Sequence, residues 1–289
     1  TDSDDGNLAI SVDGAGYIYV AGETDSFDFP LKNPLQSRRG CCLGDSDVTV
    51  TKFTPDGSAL VFSTYIGGSE EDWPGGLVVD GAGNVYLSGF AGSIDFPVTP
   101  GAFQTTSGAC GHFCGDAFLL KLDASGQKIL WATYLGGSDD DEAGYGNSLA
   151  VDGDGNAYVA GLTLSTNFPT TAGAYQTAHK GTTPNYDAFV SEISSDGSKL
   201  VFSTLLGGTS DDVAVALAMD ASHRLYVTGY TTGNDFPDTI VPPGKPHGVG
   251  PGAGDAFVAV LDGTGSSLLF ATPFGGAGDD AGYALSLDG

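Results

Sequence analysis

The sequence predicts an all-β fold built from four copies of one unit, and three observations predict it. A tripeptide of Asp or Asn, Phe and Pro recurs at Asp28-Phe29-Pro30, Asp95-Phe96-Pro97, Asn167-Phe168-Pro169 and Asp235-Phe236-Pro237, its prolines 67, 72 and 68 residues apart. Self-similarity at a near-fixed spacing is the signature of a repeat architecture. Between the tripeptides, apolar residues fall in short runs rich in Val, Tyr, Phe, Thr and Leu, split by Gly, Asp, Asn and Ser as strands are split by turns. No segment sustains a 3.6-residue apolar period between capping residues, so helix is expected to be nearly absent.

Each unit opens on an acidic pair and a short apolar run, as at residues 76–80, 149–151 and 217–220. Turns such as 80–84 and 152–156, rich in Gly and Asn, join it as a tight hairpin to a second run at 17–22, 85–89, 157–161 and 225–229. The Phe-Pro tripeptide and a loop of variable length come next. Pieces of that loop, Ala102-Phe103-Gln104 and Ala174-Tyr175-Gln176, are read as anchors on the blade, because bulky rings tend to be buried. A third run starts on Asp116, Asp187 and Asp255, each followed by Ala and Phe, with Asp47 opening the divergent first copy. After a short turn comes the most apolar run, at 60–66, 129–135, 200–206 and 268–274, closed each time by Gly-Gly.

Four strands make an antiparallel meander with two faces to bury, and one such sheet cannot bury both alone. Stacking copies face to face around an axis does so and shortens the exposed edges. A β-solenoid has shorter coils without this four-strand grammar. A string of sandwich domains would leave each unit too small for its own core. The expected architecture is therefore a β-propeller of four-stranded antiparallel blades, with units at approximately 1–67, 68–135, 136–206 and 207–274. Residues 275–289 repeat the acidic pair and first run, as an extra first strand. On that ground the chain is expected to be a piece of a longer protein with more blades.

The order of these motifs, a Tyr-Val-Ala-Gly strand, Asp-Phe-Pro, Asp-Ala-Phe, then Phe-Ser-Thr-Tyr, Gly-Gly-Ser and an acidic pair, resembles the SBBP-type β-propeller repeats of bacterial surface and secreted proteins. The resemblance runs over essentially the whole chain. It implies a propeller in an extracellular or cell-surface protein, with no assigned enzymatic activity.

The net charge is −26 and the pI near 4.1. Nucleic-acid binding needs cationic surface to replace phosphate counterions, so that function class is excluded. No apolar stretch approaches the roughly 18 residues of a membrane span, and none is expected. The acid is 31 Asp against 5 Glu. Asp suits turns, where its short side chain bonds nearby backbone, and oxygen-rich cation sites.

The acidic pairs are Asp4-Asp5, Glu71-Asp72, Asp140-Asp141, Asp211-Asp212 and Asp279-Asp280. Adjacent carboxylates repel unless a cation or backbone N–H groups neutralise them. Two readings follow. Asp5, Asp72, Asp141, Asp212 and Asp280 would bind Ca²⁺ with carbonyl oxygens around one mouth of the channel, or each acid caps its own turn and fixes the blade connection. The second acid lies eight residues before the hairpin Asp in four units and eleven in the unit of Asp141, which marks an insertion near 142–147. The segment Asp152 to Asn156 mimics the first half of an EF-hand loop. It lacks the later Gly and Glu, where Ala157 and Thr163 stand, and is read as a turn.

Cys41, Cys42, Cys110 and Cys114 all lie in variable loops of the first two units. Their spacing is not that of a zinc site. Disulfides of an oxidising compartment are expected, with Cys110 to Cys114 the easiest bridge and the connectivity open. No nucleophile elbow, metalloprotease motif or phosphate loop occurs, and a catalytic carboxylate pair should appear once rather than in every unit. No catalytic residue is assigned. The expected function is a non-enzymatic extracellular module for scaffolding or binding, its partner a protein or glycan. The alternatives are a carbohydrate-binding or carbohydrate-cleaving propeller, and a subunit of a surface fibre that self-assembles through its terminal strand.

Overall fold

The computed structural model describes residues 5–40, 45–108, 114–144, 147–182, 184–240 and 254–288. Among them there is no helix. Strands β1 (Asp5–Val12), β2 (Ile18–Thr24), β3 (Asp47–Phe53) and β4 (Leu60–Ile66) form one sheet in chain order. Strands β5 (Asp72–Val79), β6 (Val85–Ala91), β7 (Asp116–Leu122) and β8 (Ile129–Leu135) form the second. The third holds β9 (Asp141–Ala143), β10 (Leu149–Val151), β11 (Ala157–Thr163), β12 (Asp187–Ile193) and β13 (Leu200–Leu206). The fourth is β14 (Asp212–Met219), β15 (Leu225–Thr231), β16 (Asp255–Leu261) and β17 (Leu268–Phe274). All pairs are antiparallel, as expected of meandering propeller blades.

The core lies between blades. Tyr19 and Phe62 of the first blade bury against Leu87, Phe118 and Tyr134 of the second. Tyr86 and Trp131 of the second meet Phe189 and Leu205 of the third. Tyr158 and Phe202 of the third meet Phe257 and Leu261 of the fourth. Strands β6, β11 and β12, flanked on both sides, are buried along their whole length. In β2, Tyr19 and Ala21 are buried while Ile18 and Val20 are only partly covered, the alternation of a strand packed on one face.

The first strand of each blade carries a β-bulge, between Asn7 and Ala9, Pro74 and Gly76, and Ala214 and Ala216. In the third blade that bulge is opened by the inserted residues, so that β9 and β10 both pair with β11. A bulge already leaves residues outside the ladder, so an insertion there spares the register on either side. The inserted Asn147 bridges to Gly76, and its carbonyl accepts the Leu217 N–H at 2.8 Å, tying three first strands together.

The segment 275–288, expected as an extra first strand, forms no strand. A first strand is held by the hairpin partner that follows it, and this segment has no such partner in the chain. It keeps the contacts that such a segment makes to the preceding blade. Asp280 N–H donates to the Gly254 carbonyl (2.7 Å) and Gly282 N–H to that of Gly229 (3.0 Å).

Candidate functional site: blade junctions and an acidic cavity

At each blade junction the second acid of the expected pair meets the Asp that opens the third strand. Asp72, Asp141 and Asp212 are fully buried, as are Asp47, Asp116 and Asp187. These three second acids are therefore buried at the junctions rather than open at a mouth, while Asp280 is only partly buried. The first Gly of the Gly-Gly sits between the two carboxylates. A Cβ on Gly207 would lie 2.7 Å from Asp212 Oδ2 and 3.0 Å from Asp187 Oδ1. Gly136 and Gly275 stand in the same relation to Asp116 and Asp141, and to Asp255 and Asp280. The side chain of Asp5 lies outside the described residues.

Backbone donors answer part of this charge. Asp72 Oδ2 accepts from Gly68 N–H (2.8 Å) and Ser93 Oγ (2.8 Å). Asp141 Oδ2 accepts from Gly137 N–H (2.6 Å) and Ser165 Oγ (2.8 Å), and Asp212 Oδ2 from Gly208 N–H (2.6 Å). Opposite them, Gln104 spans the junction. Its Nε2 donates to Asp116 Oδ2 (3.1 Å) and its Oε1 accepts from Gly136 N–H (3.1 Å). Gln36 and Gln176 do the same for Asp47 and Asp187. One oxygen, Oδ1, of Asp47, Asp116 and Asp187 has no hydrogen-bond partner. Burial, reinforced by the facing carboxylate, pushes Asp72, Asp141 and Asp212 up to about 7. Burial likewise pushes Asp47 and Asp116 up to about 6 and raises Asp187. These oxygens have the chemistry of a hard-cation site. Among the described residues, however, no three His, Cys, Asp or Glu side chains come together, so backbone carbonyls would have to complete a Ca²⁺ shell.

The other recurrent residues are engaged in framing the blade. Asp95 Oδ1 accepts from Ser69 N–H and Oγ (2.8 and 2.9 Å), and Asn167 Oδ1 does the same for Ser138 (3.0 and 2.9 Å). Phe96, Phe168 and Phe236 are buried on Phe118, Phe189 and Phe257, with ring centroids 4.5, 4.6 and 4.5 Å apart. Phe103 N–H and Tyr175 N–H each donate to a turn of the next blade, at Gly197 and Gly265 (both 2.9 Å). The Asp152 carboxylate accepts its own turn's N–H groups from Asp154 and Asn156 (both 2.9 Å), the geometry of a hairpin cap.

A cavity of about 270 Å³ opens where the first three blades meet. Asp45, Glu70, Glu71, Asp140 and Glu142 line it. Its apolar wall is Trp73 stacked on Phe90, with centroids 4.0 Å apart and planes at 15°. Phe90 is 6% exposed and lies beneath; Trp73 is only partly buried, and its Nε1 has no hydrogen-bond partner. Burial and the nearby Asp45 and Glu23 raise the Glu71 carboxyl, and burial together with Asp139 raises Asp140. So the first acids of two pairs, Glu71 and Asp140, face a cavity, while the second acids are spent in the junctions. Sequence reasoning missed Trp73, Phe90 and Gln36; Gln104 and Gln176 fall in the pieces read as loop anchors, and they hold the loop to the junction. Trp73 carried a signal, because the same place in the other units holds Gly6, Glu142 and Val213.

Cys114 also lies on the cavity wall and is disulfide-bonded. Cys41, Cys42 and Cys110 lie outside the described residues.

The SBBP β-propeller repeat family matches residues 61–97, 130–169 and 201–237. No curated protein matches the chain. A solved protein of unknown function from Dyadobacter fermentans DSM 18053 is similar at 10% identity and TM-score 0.49, over 93% of this chain and 69% of that one. A polysaccharide lyase, an ulvan lyase, is similar at 11% identity and TM-score 0.43, over 90% of this chain and 54% of that one. A protein of unknown function from Bacteroides caccae is similar at 11% identity and TM-score 0.31, over 93% and 82%. Each family match begins in the last strand of one blade and ends on the Phe-Pro of the next, so the matched motif is the junction itself. At these three junctions the chain carries SBBP β-propeller repeats.

Proposed function

We propose that the chain is a non-enzymatic module of an extracellular or cell-surface protein that scaffolds and binds. One observation carries this reading. The fully buried recurrent Asp residues, with the recurrent Gln, Phe and Tyr side chains, are consumed in holding the blades, while one cavity joins carboxylates to an aromatic wall that no other blade repeats. Concave sites with a few polar groups are where ligands bind. The test is a glycan and surface-protein array probed with the purified chain, alongside an assay for new chain ends in polysaccharide substrates. Binding without cleavage is the expected result, and release of oligosaccharide would overturn the non-enzymatic reading. A carbohydrate ligand is the second reading, favoured by Trp73, since aromatic rings stack on sugars. Self-association through the segment 275–289 is tested by solution mass, and a strictly monomeric species counts against it.

At the junctions Ca²⁺ is the cation that the buried carboxylates would take, with Asp72, Asp141, Asp212 and Asp280 as its ligands beside the partner Asp of each junction. A chelator melt tests it. The melting temperature is expected to fall when EDTA is added, and an unchanged value removes calcium from the account.

A further inference from the structure

We propose, resting on the binding-module reading above, that the cavity at the junction of the first three blades binds an organic cation, an alkylammonium or quaternary ammonium head group seated on Trp73 with Glu71 and Asp140 as counter-charges. Phe90 stacks on one face of the indole, and the partly exposed ring forms the cavity's apolar wall; a π face attracts a cation held within about 6 Å of it. The carboxylates are spread around the wall rather than converging on a point, since no three described acids come together. That arrangement suits a bulky, diffuse cation better than a metal ion. The volume of about 270 Å³ sets the size. It falls below the roughly 300–1,000 Å³ of pockets that hold drug-sized ligands, which leaves room for one head group or one side chain. The stacked pair occurs once among the four blades. The corresponding strand-paired positions hold Gly6 and Glu23, Glu142 and Leu162, and Val213 and Tyr230, so nothing in the shared blade architecture requires it.

The head group could come from a small free amine or from a lysine of a partner protein, and the test separates these sources. The full chain is titrated by calorimetry and tryptophan fluorescence at about 150 mM salt, where long-range attraction to the acidic surface is screened. The probes are choline, its neutral isostere 3,3-dimethylbutan-1-ol, and N-acetyl-lysine methylamide. An ammonium probe is expected to bind at least about tenfold more tightly than the neutral isostere. Choline binding points to a small free ligand; binding of the lysine amide alone points to a partner's side chain. Trp73→Leu and Glu71→Gln should each weaken binding about fivefold or more, while Trp73→Phe retains part of it and guards against misfolding. Equal affinity for choline and its isostere, binding indifferent to both substitutions, or no binding of either ammonium probe would overturn the proposal. If glycan or protein ligands still bind in that last case, only the cavity assignment fails. If nothing binds, the binding reading fails with it.

Discussion

The blade junctions and the cavity are both acidic and lie within a few residues of each other, yet they are built in opposite ways. At a junction the acids are fully buried, face each other across a glycine, and recur from unit to unit: Asp47 with Asp72, Asp116 with Asp141, Asp187 with Asp212. In the cavity the acids are partly open to solvent, and although Glu71 and Asp140 are first acids of recurring pairs, the aromatic pair they surround occurs once. Repetition is what architecture produces, because every blade must solve the same packing problem. A feature that one blade has and its sisters lack is not demanded by packing, and is where binding should be sought. The comparison is useful only if it can be broken, and pH, one methyl group and one turn residue are three ways to try.

The largest effect should come from pH. Asp72, Asp141 and Asp212 titrate near 7 in the folded chain, against an ordinary value of 3.8. The folded state then holds more protons than the unfolded state between those limits. Stability is greatest below about pH 4 on this account and is lost as pH rises toward 7, levelling above it. With several junctions acting together, the melting temperature should drop by roughly 10 °C or more from pH 5 to pH 8 without calcium. Asp212→Asn should shrink the slope and raise stability at pH 8. Added Ca²⁺ should flatten the profile if the pairs hold it. A melting temperature that is level or rising over that range in calcium-free buffer would show that the junction acids stay ionised, and so resemble those of the cavity.

Much of this was legible in the sequence. The repeat spacing, the four runs per unit and the Asp-Phe-Pro tripeptide specify the strands, their order and the blade stacking, because local alternation and turn chemistry carry that information. The insertion near Glu142 could be counted from the spacing, although its seat at a bulge depends on pairing. The acidic pairs were visible as pairs, but the sequence put each acid's partner next door. The true partner of Asp141 is Asp116, 25 residues earlier, and only the meander brings the two together. The cavity was invisible for the same reason: its walls come from three blades. Trp73 was readable as an exception to the repeat, but an exception has no evident meaning until its neighbours are known.

A methyl group provides the next test. Gly207→Ala drives a Cβ between Asp187 and Asp212, where overpacking should cost about 1–3 kcal/mol. Gly153→Ala, on a hairpin with nothing within 4 Å of the new carbon, should stay within about 0.5 kcal/mol of the parent. Trp73→Leu should cost less than Gly207→Ala in a thermal or urea melt, because the indole is only partly buried. If Trp73→Leu proves the more destabilising, the aromatic pair is a packing element and the contrast between the two regions collapses.

The smallest effect tests the rule from the other side. In three hairpins the residue with positive φ is Gly: Gly16, Gly83 and Gly155, at +84°, +82° and +85°. The fourth has His223 at φ +60°, with its N–H still donating to Asp220 (2.9 Å) as the glycines donate to Asp13, Asp80 and Asp152. His223 is thus a departure from the repeat, like Trp73, but it lies exposed at a turn and not on the wall of the acidic cavity. The left-handed conformation costs a side-chain-bearing residue about 1–2 kcal/mol, and the extra freedom of glycine in the unfolded chain gives back about 0.5–1. His223→Gly should therefore stabilise the chain by roughly 0.5–1 kcal/mol, read as a small rise in urea midpoint with an unchanged slope. A loss of stability would mean that the imidazole makes a compensating interaction, Glu192 being the acid that feels its charge. A gain would show that a departure from the repeat can be mere drift, so that what singles out Trp73 is its cavity and its carboxylates rather than its singularity.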